Sequence, residues 1–223
     1  MKAKLEELFA AERTVRRLHA ELVTKGRALA PALSEETRNG LAEGDTDDGA
    51  AKLVRVAALL GELEGPEPVD LLIDILGGDS PEARAVAGEE LENIAFDRFK
   101  EVALGIERAL QRLPGDSPAL TELPYLLAEV GEPGCVKLLG RFLAHKSPEP
   151  VAAAIEALAE LGDPAGAPLL APLERDSRQV EVDDDAEGLL VTIGELAHEA
   201  RELLGEVETK QSGPPAKGGK NRS

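Results

Sequence analysis

A serine followed by proline occurs three times in this chain, at Ser80, Ser117 and Ser147, each time ahead of regularly spaced apolar residues. A serine at a helix start accepts a hydrogen bond from a free backbone N–H, and proline fits the first helical position. The three starts are 37 and 30 residues apart. Periods of this length, with two helices in each unit, are typical of an α-solenoid.

The clearest unit runs from Ser147 to Leu173 and reads SPEPVAAAIEALAELGDPAGAPLLAPL. Its apolar residues recur at intervals of three and four, which gathers them on one face of a helix. Gly162 ends this first helix, and Asp163 with Pro164 starts a second one, which further prolines keep short. This stretch therefore predicts a small helical hairpin.

Three other segments follow the same template. They are VRVAALLGELEGPEPVDLLIDIL at 54–76, a longer unit at 81–113, and PYLLAEVGEPGCVKLLGRFL at 124–143. Aromatic residues make up only 2% of the chain, so its core consists of Leu, Ala and Val, which suits closely packed helices better than a β-sandwich. We predict an all-α protein, an α-solenoid of about four to five hairpins.

The two ends of the chain differ from the repeats. Residues 1–46 are predicted to form an N-terminal helical cap, with one helix over 2–30 that Pro31 ends and another from Ser34 to about Glu43, before a loop whose Asp47 or Asp48 caps the next helix. The repeat solenoid is predicted over 47–205, with a polar loop after residue 173 and a closing helix from about Ala186 to Leu204. Residues 206–223 are predicted to be a disordered basic tail.

The net charge of −18 is unevenly distributed. Residues 1–30 carry seven basic and four acidic side chains, and residues 209–223 carry four basic and no acidic ones, which leaves −25 for residues 31–208. An acidic body attracts basic protein segments and disfavours nucleic acid, although such charge also serves solubility alone.

Three strings resemble the short bacterial HEAT-like repeats first recognised in phycobilisome lyases. They are ALAELGDPAGAPLLAPL (157–173), VRVAALLGELEG (54–65) and LLAEVGEPGCVKLLGRFL (126–143), and the resemblance covers roughly 50–178. It implies the fold more than the activity, because the family includes scaffolds, lyase subunits, regulatory proteins and DNA-lesion enzymes. The longer second unit and the proline-broken last hairpin depart from the pattern.

The sequence offers little catalytic or metal-binding chemistry. Cys135 is the only cysteine, so an intramolecular disulfide and a cysteine-rich zinc site are excluded. Glu195 and His198 have the spacing of half a di-iron motif, but His198 falls opposite the apolar face and no second motif exists. We find neither a nucleophile elbow nor a phosphate-binding loop, and predict no catalytic residue, metal or cofactor.

One unit departs from the repeat template. Glu90 occupies the position where the sister units carry Leu59, Leu126 and Ala157, and the same unit contains Phe96 and Phe99. Glu90 either lies at the edge of the apolar stripe, reaches water and pairs with Arg55 or Arg98, or marks the binding site of the protein.

A second set of residues recurs in register. Glu62, Glu129 and Glu160 occupy equivalent places in three units, with Asn93 in the fourth. Stacking of the units would align them as a negative ridge. The predicted partner-binding residues are therefore Glu62, Glu90, Asn93, Phe96, Phe99, Glu129 and Glu160.

These observations predict a non-enzymatic interaction scaffold or adaptor that presents an acidic surface to a basic protein partner. An accessory subunit of an enzyme resembling chromophore lyases is the alternative, and a nucleic-acid-associated HEAT-like enzyme is less favoured. The N-terminal helix either caps the array or dimerises. Without a leader pattern or a run of eighteen apolar residues, we expect a cytoplasmic protein that does not insert into membranes.

Overall fold

The computed structural model describes residues 1–182 and 189–211, and these are mostly helical. The all-α class predicted from the sequence is confirmed at this coarse level. Packing of the chain defines two compact units, Met1–Leu126 and Leu127–Ser223. The boundaries predicted at residues 46 and 205 stay predictions.

The first unit consists of helices joined by short turns. In chain order it contains α1 (Lys2–Val23), a 3-10 turn (Gly26–Leu29), α2 (Ala30–Glu43), α3 (Asp47–Gly61), α4 (Pro66–Leu76), α5 (Pro81–Arg112) and the first part of α6 (Pro118–Val130).

The N-terminal region differs from its prediction. The first helix ends at Val23 rather than near residue 30, and Pro31 lies in the first turn of α2 instead of ending a helix. Proline is tolerated there because the N–H it lacks has no partner within the helix. The cap of α3 is Thr46, whose Oγ1 accepts a hydrogen bond from the Gly49 N–H at 3.1 Å, and not Asp47 or Asp48.

Helices α3, α4 and α5 pack together and form the core of the first unit. Leu60, Leu72 and Leu91 are completely buried, one from each helix. The approach of α5 to α4 is close at Gly105, where an added Cβ would lie 2.4 Å from Val69 Cγ1. The two helices are also joined on their exposed side, where Arg108 Nε donates to both carboxylate oxygens of Asp70 at 3.0 Å.

Helix α5 begins at the predicted serine cap, because Ser80 Oγ accepts from the Ala83 N–H at 3.4 Å. The helix is interrupted at Arg98, whose φ of −137° and ψ of 47° are not helical. The longer segment predicted at 81–113 thus consists of two helical segments that meet at a kink. Two hydrogen bonds hold the Arg98 side chain at the kink. Its Nη2 donates to Leu63 O at 3.3 Å, and its Nη1 donates to Glu101 Oε2 at 3.3 Å.

The second unit contains the end of α6 and the remaining elements. They are α7 (Cys135–Phe142), α8 (Pro148–Leu161), α9 (Ala167–Leu170) between two 3-10 turns (Pro164–Gly166 and Ala171–Leu173), β1 (Gln179–Val182), β2 (Leu189–Thr192) and α10 (Ile193–Gln211). Helix α8 packs against α7 and α10. Gly162 ends α8 in the left-handed conformation, with φ 64°, as its position in the sequence predicts.

A two-stranded hairpin replaces part of the predicted loop and closing helix. Strands β1 and β2 pair antiparallel, with Val180 opposite Val191, so the final helix begins at Ile193 and not near Ala186. Leu189 and Leu190 are exposed and do not join the helical core. The sequence QVEV alternates polar and β-branched residues, which favours a strand.

The last predicted segment is only partly described. Residues 206–211 continue α10, and the rest of the predicted basic tail, 212–223, lies outside the described residues. Among residues 1–182 and 189–211, no helix combines the length and the apolar composition that crossing a membrane requires.

Candidate functional site

An open acidic groove runs along the first half of α5 in the first unit. Its volume is ≈ 550 Å³ and it is lined by Leu76, Pro81, Arg84, Ala85, Gly88, Glu89, Glu92 and Glu122. The floor is apolar and low, since Gly88 has no side chain and an added Cβ there would only reach ordinary contact with Leu76 Cδ1 at 3.8 Å.

Carboxylates dominate the charge of this groove. Glu89 and Glu92 come from α5 and Glu122 from the first turns of α6, against the single guanidinium of Arg84, which forms an ion pair with Glu122. The three carboxylates and the one guanidinium give the lining of the groove a net charge of −2. Walls of one charge sign around a low-dielectric floor concentrate ions of the opposite sign.

Phe96 extends this surface by one helical turn. It follows Glu92 by four residues and Glu89 by seven, so all three lie on one face of α5 before the kink at Arg98. Its ring is 60% exposed. We call the exposed face of Glu89, Glu92 and Phe96, together with the groove beside it, the acidic groove face.

Phe99 lies elsewhere, in a second groove beside the α5 kink. That groove has a volume of ≈ 780 Å³ and is lined by Gly65, Pro66, Asp97, Arg98, Phe99, Lys100, Glu101, Leu104 and Arg108. Its charges nearly balance, and Glu101 Oε1 accepts from the Gly65 N–H at 2.7 Å. It offers apolar surface without the negative charge predicted for the binding site.

Glu90 points away from the acidic groove face, toward the end of α3. An added Cβ at Gly61 would fall 2.0 Å from Glu90 Oε2, so the carboxylate lies directly over that glycine. Partial burial is the main cause that raises the pKa of Glu90 above its ordinary value, and the negative charges of Glu89 and Glu62 raise it further. Arg98, one partner expected from the sequence, binds Glu101 and Leu63 instead.

We expect Glu90→Gln to stabilise the protein at neutral pH by about 0.5 kcal/mol, because it removes a half-buried negative charge beside two others. A raised carboxyl pKa contributes stability below the ordinary glutamate value and loses it as the pH rises through the folded-state value. The gain should therefore vanish at acid pH. Chemical denaturation across pH measures it, with exposed Glu129→Gln as the control, and a variant less stable than wild type at neutral pH contradicts it.

The residues predicted to form a ridge are all accessible. Glu62, Asn93, Glu129 and Glu160 are exposed. Glu62 and Asn93 belong to the first unit, and Glu129 and Glu160 to the second. Their alignment as one ridge stays a prediction.

Glu195 has a structural partner that the sequence reading missed. Thr192 and Glu195 form a capping box at the start of α10, in which Glu195 Oε2 accepts from Thr192 N at 2.8 Å and Thr192 Oγ1 accepts from Glu195 N at 3.1 Å. The Glu195 carboxylate accepts from the Thr192 N–H and also from the Thr192 hydroxyl, at 2.7 Å, and these two hydrogen bonds lower the pKa of Glu195. His198 is 58% exposed, as its position on the helix predicts. Within the described part of the chain, no group of three or more potential ligands could hold a metal ion.

Cys135 is completely buried at the start of α7, and this burial raises the pKa of its thiol. A raised pKa disfavours the thiolate, which is the reactive form. Comparison of the chain with models of known protein families and with curated protein sequences finds no match.

The sequence patterns singled out the segment 81–113, which supplies most of the lining of this groove, but only part of its exposed surface. Phe96 was among the predicted residues, whereas Glu89, Glu92 and Glu122 were not. The spacing of Glu89, Glu92 and Phe96 by three and four residues was a usable signal, because it places all three on one helix face. The contribution of Glu122 depends on how α6 follows α5, which local patterns do not encode.

Proposed function

We propose that this chain is a non-enzymatic interaction module, a HEAT-like α-solenoid that binds a basic segment of a protein on its acidic groove face. The observation that carries the proposal is the combination of Glu89, Glu92 and Glu122 with an apolar floor and the exposed ring of Phe96. The solenoid itself is supported by helical hairpins whose starts follow the Ser-Pro period of the sequence.

Charge and apolar contact have different roles in such binding. The carboxylates accelerate encounter with a basic segment and orient it, while burial of Phe96 and the groove floor supplies the affinity. The segment that fits best is an amphipathic helix with basic residues beside an apolar stripe, because the surface it meets is itself one face of a helix. Binding should weaken as the salt concentration rises.

Fluorescence anisotropy with a labelled peptide of lysine and leucine tests this proposal. We expect Glu89→Gln with Glu92→Gln to weaken binding about tenfold, since two attractive charges are lost at the centre of the surface. The matched control is Glu35→Gln with Glu199→Gln, which changes the net charge equally at exposed sites outside the groove.

Two results would contradict the proposal. One is equal affinity of the groove variant and wild type for the lysine peptide. The other is equally tight binding of a peptide in which glutamine replaces every lysine, because the carboxylates would then have no part in recognition.

A further inference from the structure

Helix α1 has no buried residue along its 22 residues. Its large apolar side chains, Leu5, Leu8, Phe9, Leu18 and Leu22, are between 37% and 61% exposed. The opposite face of the helix, which carries Phe9, Arg13 and Arg16, is exposed as well and is therefore open for docking.

One face of helix α1 carries the charge that the acidic groove face lacks. The helix as a whole has a net charge of +1, from five basic and four acidic side chains, in contrast to −25 for residues 31–208. Arg13 and Arg16 lie one turn apart beside Phe9. The Arg16 side chain is 71% exposed, and its Nε lies 3.8 Å from Glu12 Oε1 in an exposed ion pair. Resting on the function proposed above, we propose that the basic segment bound on the acidic groove face is α1 of a second copy of this chain.

The spacing of the two faces fits an antiparallel arrangement. Along α1 the steps from Arg16 back to Arg13 and to Phe9 are three and four residues. Along α5 the steps forward through the acidic groove face are also three and four residues: Glu89, Glu92 and Phe96. Antiparallel helices thus place Arg16 against Glu89, Arg13 against Glu92, and the two exposed rings against each other.

Neighbouring positions agree with this register. It sets Ala20 against Ala85, where two small exposed residues allow close approach. It also brings Arg17 over Gly88 in the groove floor. Opposite charges or small residues therefore meet along three turns, which provides both attraction and specificity.

A parallel arrangement fits less well. It also pairs the two arginines with the two groove glutamates, but it sets Glu6 against Glu82. Like charges in contact oppose binding. It also places each phenylalanine opposite an alanine instead of the other ring. The antiparallel register is the one we infer.

Analytical ultracentrifugation of the full chain tests the proposal through a charge exchange. We expect wild type to associate reversibly, less so at high salt. Arg13→Glu with Arg16→Glu should raise the dissociation constant about a hundredfold, and Glu89→Arg with Glu92→Arg should do the same, because each brings like charges together. An equal mixture of the two variants should associate again, since each altered surface then meets its complement.

The register is tested by cross-linking between copies. Ala20→Cys with Ala85→Cys should form an intermolecular disulfide under mild oxidation, while the native Cys135 is buried and should not contribute. Ala20→Cys with Phe96→Cys serves as the control, because only the parallel arrangement brings those positions together. Cross-linking of the control pair alone would overturn the antiparallel register.

Three results would overturn the self-association. The first is that wild type stays monomeric at low salt, and the second is that the groove variant associates as strongly as wild type. The third is that the equal mixture of the two variants does not associate. The peptide experiment separates this failure from that of the proposed function. If the lysine peptide still binds wild type more tightly than the groove variant, the acidic groove face binds basic segments and only α1 is excluded as its partner.

Discussion

Phe142→Ala is expected to lower the free energy of unfolding by about 3–5 kcal/mol, the usual cost of removing a buried ring and leaving a cavity. Phe142 is the last residue of α7 and is completely buried in the second unit. In a chain with 2% aromatic residues, no other large ring is available to refill the space from the same helix. Urea denaturation followed by circular dichroism measures the loss.

Phe96→Ala is the matched control for this prediction. The same atoms are removed, but the ring is 60% exposed, so the free energy of unfolding should change by no more than about 0.5 kcal/mol. Peptide binding and self-association should nevertheless weaken, because this ring is proposed to be an anchor. Equal stability losses for the two variants would contradict the assignment of Phe142 to the core and Phe96 to the surface.

Gly105→Ala is expected to destabilise the protein by about 1–3 kcal/mol, although alanine is the better helix former. The new Cβ would lie 2.4 Å from Val69 Cγ1 and 3.5 Å from Ile73 Cδ1, and both atoms belong to completely buried residues of α4. Either α4 and α5 move apart or these side chains leave their preferred rotamers. Thermal unfolding should show a lower midpoint for the variant.

Gly88→Ala, in the same helix, should stabilise the protein instead of destabilising it. Its Cβ would meet only Leu76 Cδ1 at 3.8 Å, an ordinary contact, so the helix preference of alanine remains as a gain of up to about 1 kcal/mol. A destabilised Gly88→Ala together with an unaffected Gly105→Ala would contradict the packing described for α5.

Local signals predicted the start of α5 and the end of α8, where the deciding feature lies within a few residues of the helix end. Ser80 caps α5 through the Ala83 N–H, three residues along the chain, and Gly162 ends α8 through its own left-handed backbone. The hairpin at β1 and β2 was missed, because its pairing joins residues 7 to 13 positions apart and the leucines of LLVT suit a helix equally well. The capping box at Thr192 and Glu195 was hidden by the same error.

The sequence alone determined the helical class and the unequal distribution of charge, and it singled out the segment 81–113. These properties depend on the spacing of residues along the chain, which a 3.6-residue period converts directly into faces of a helix. Only the tertiary structure decided which of those faces stays open. Glu90, singled out by its position in the repeat, is turned onto Gly61, while Glu89 and Glu92 line the groove with Glu122. The exposure of each residue depends on which helix packs over it, and the spacing within one helix does not contain that information.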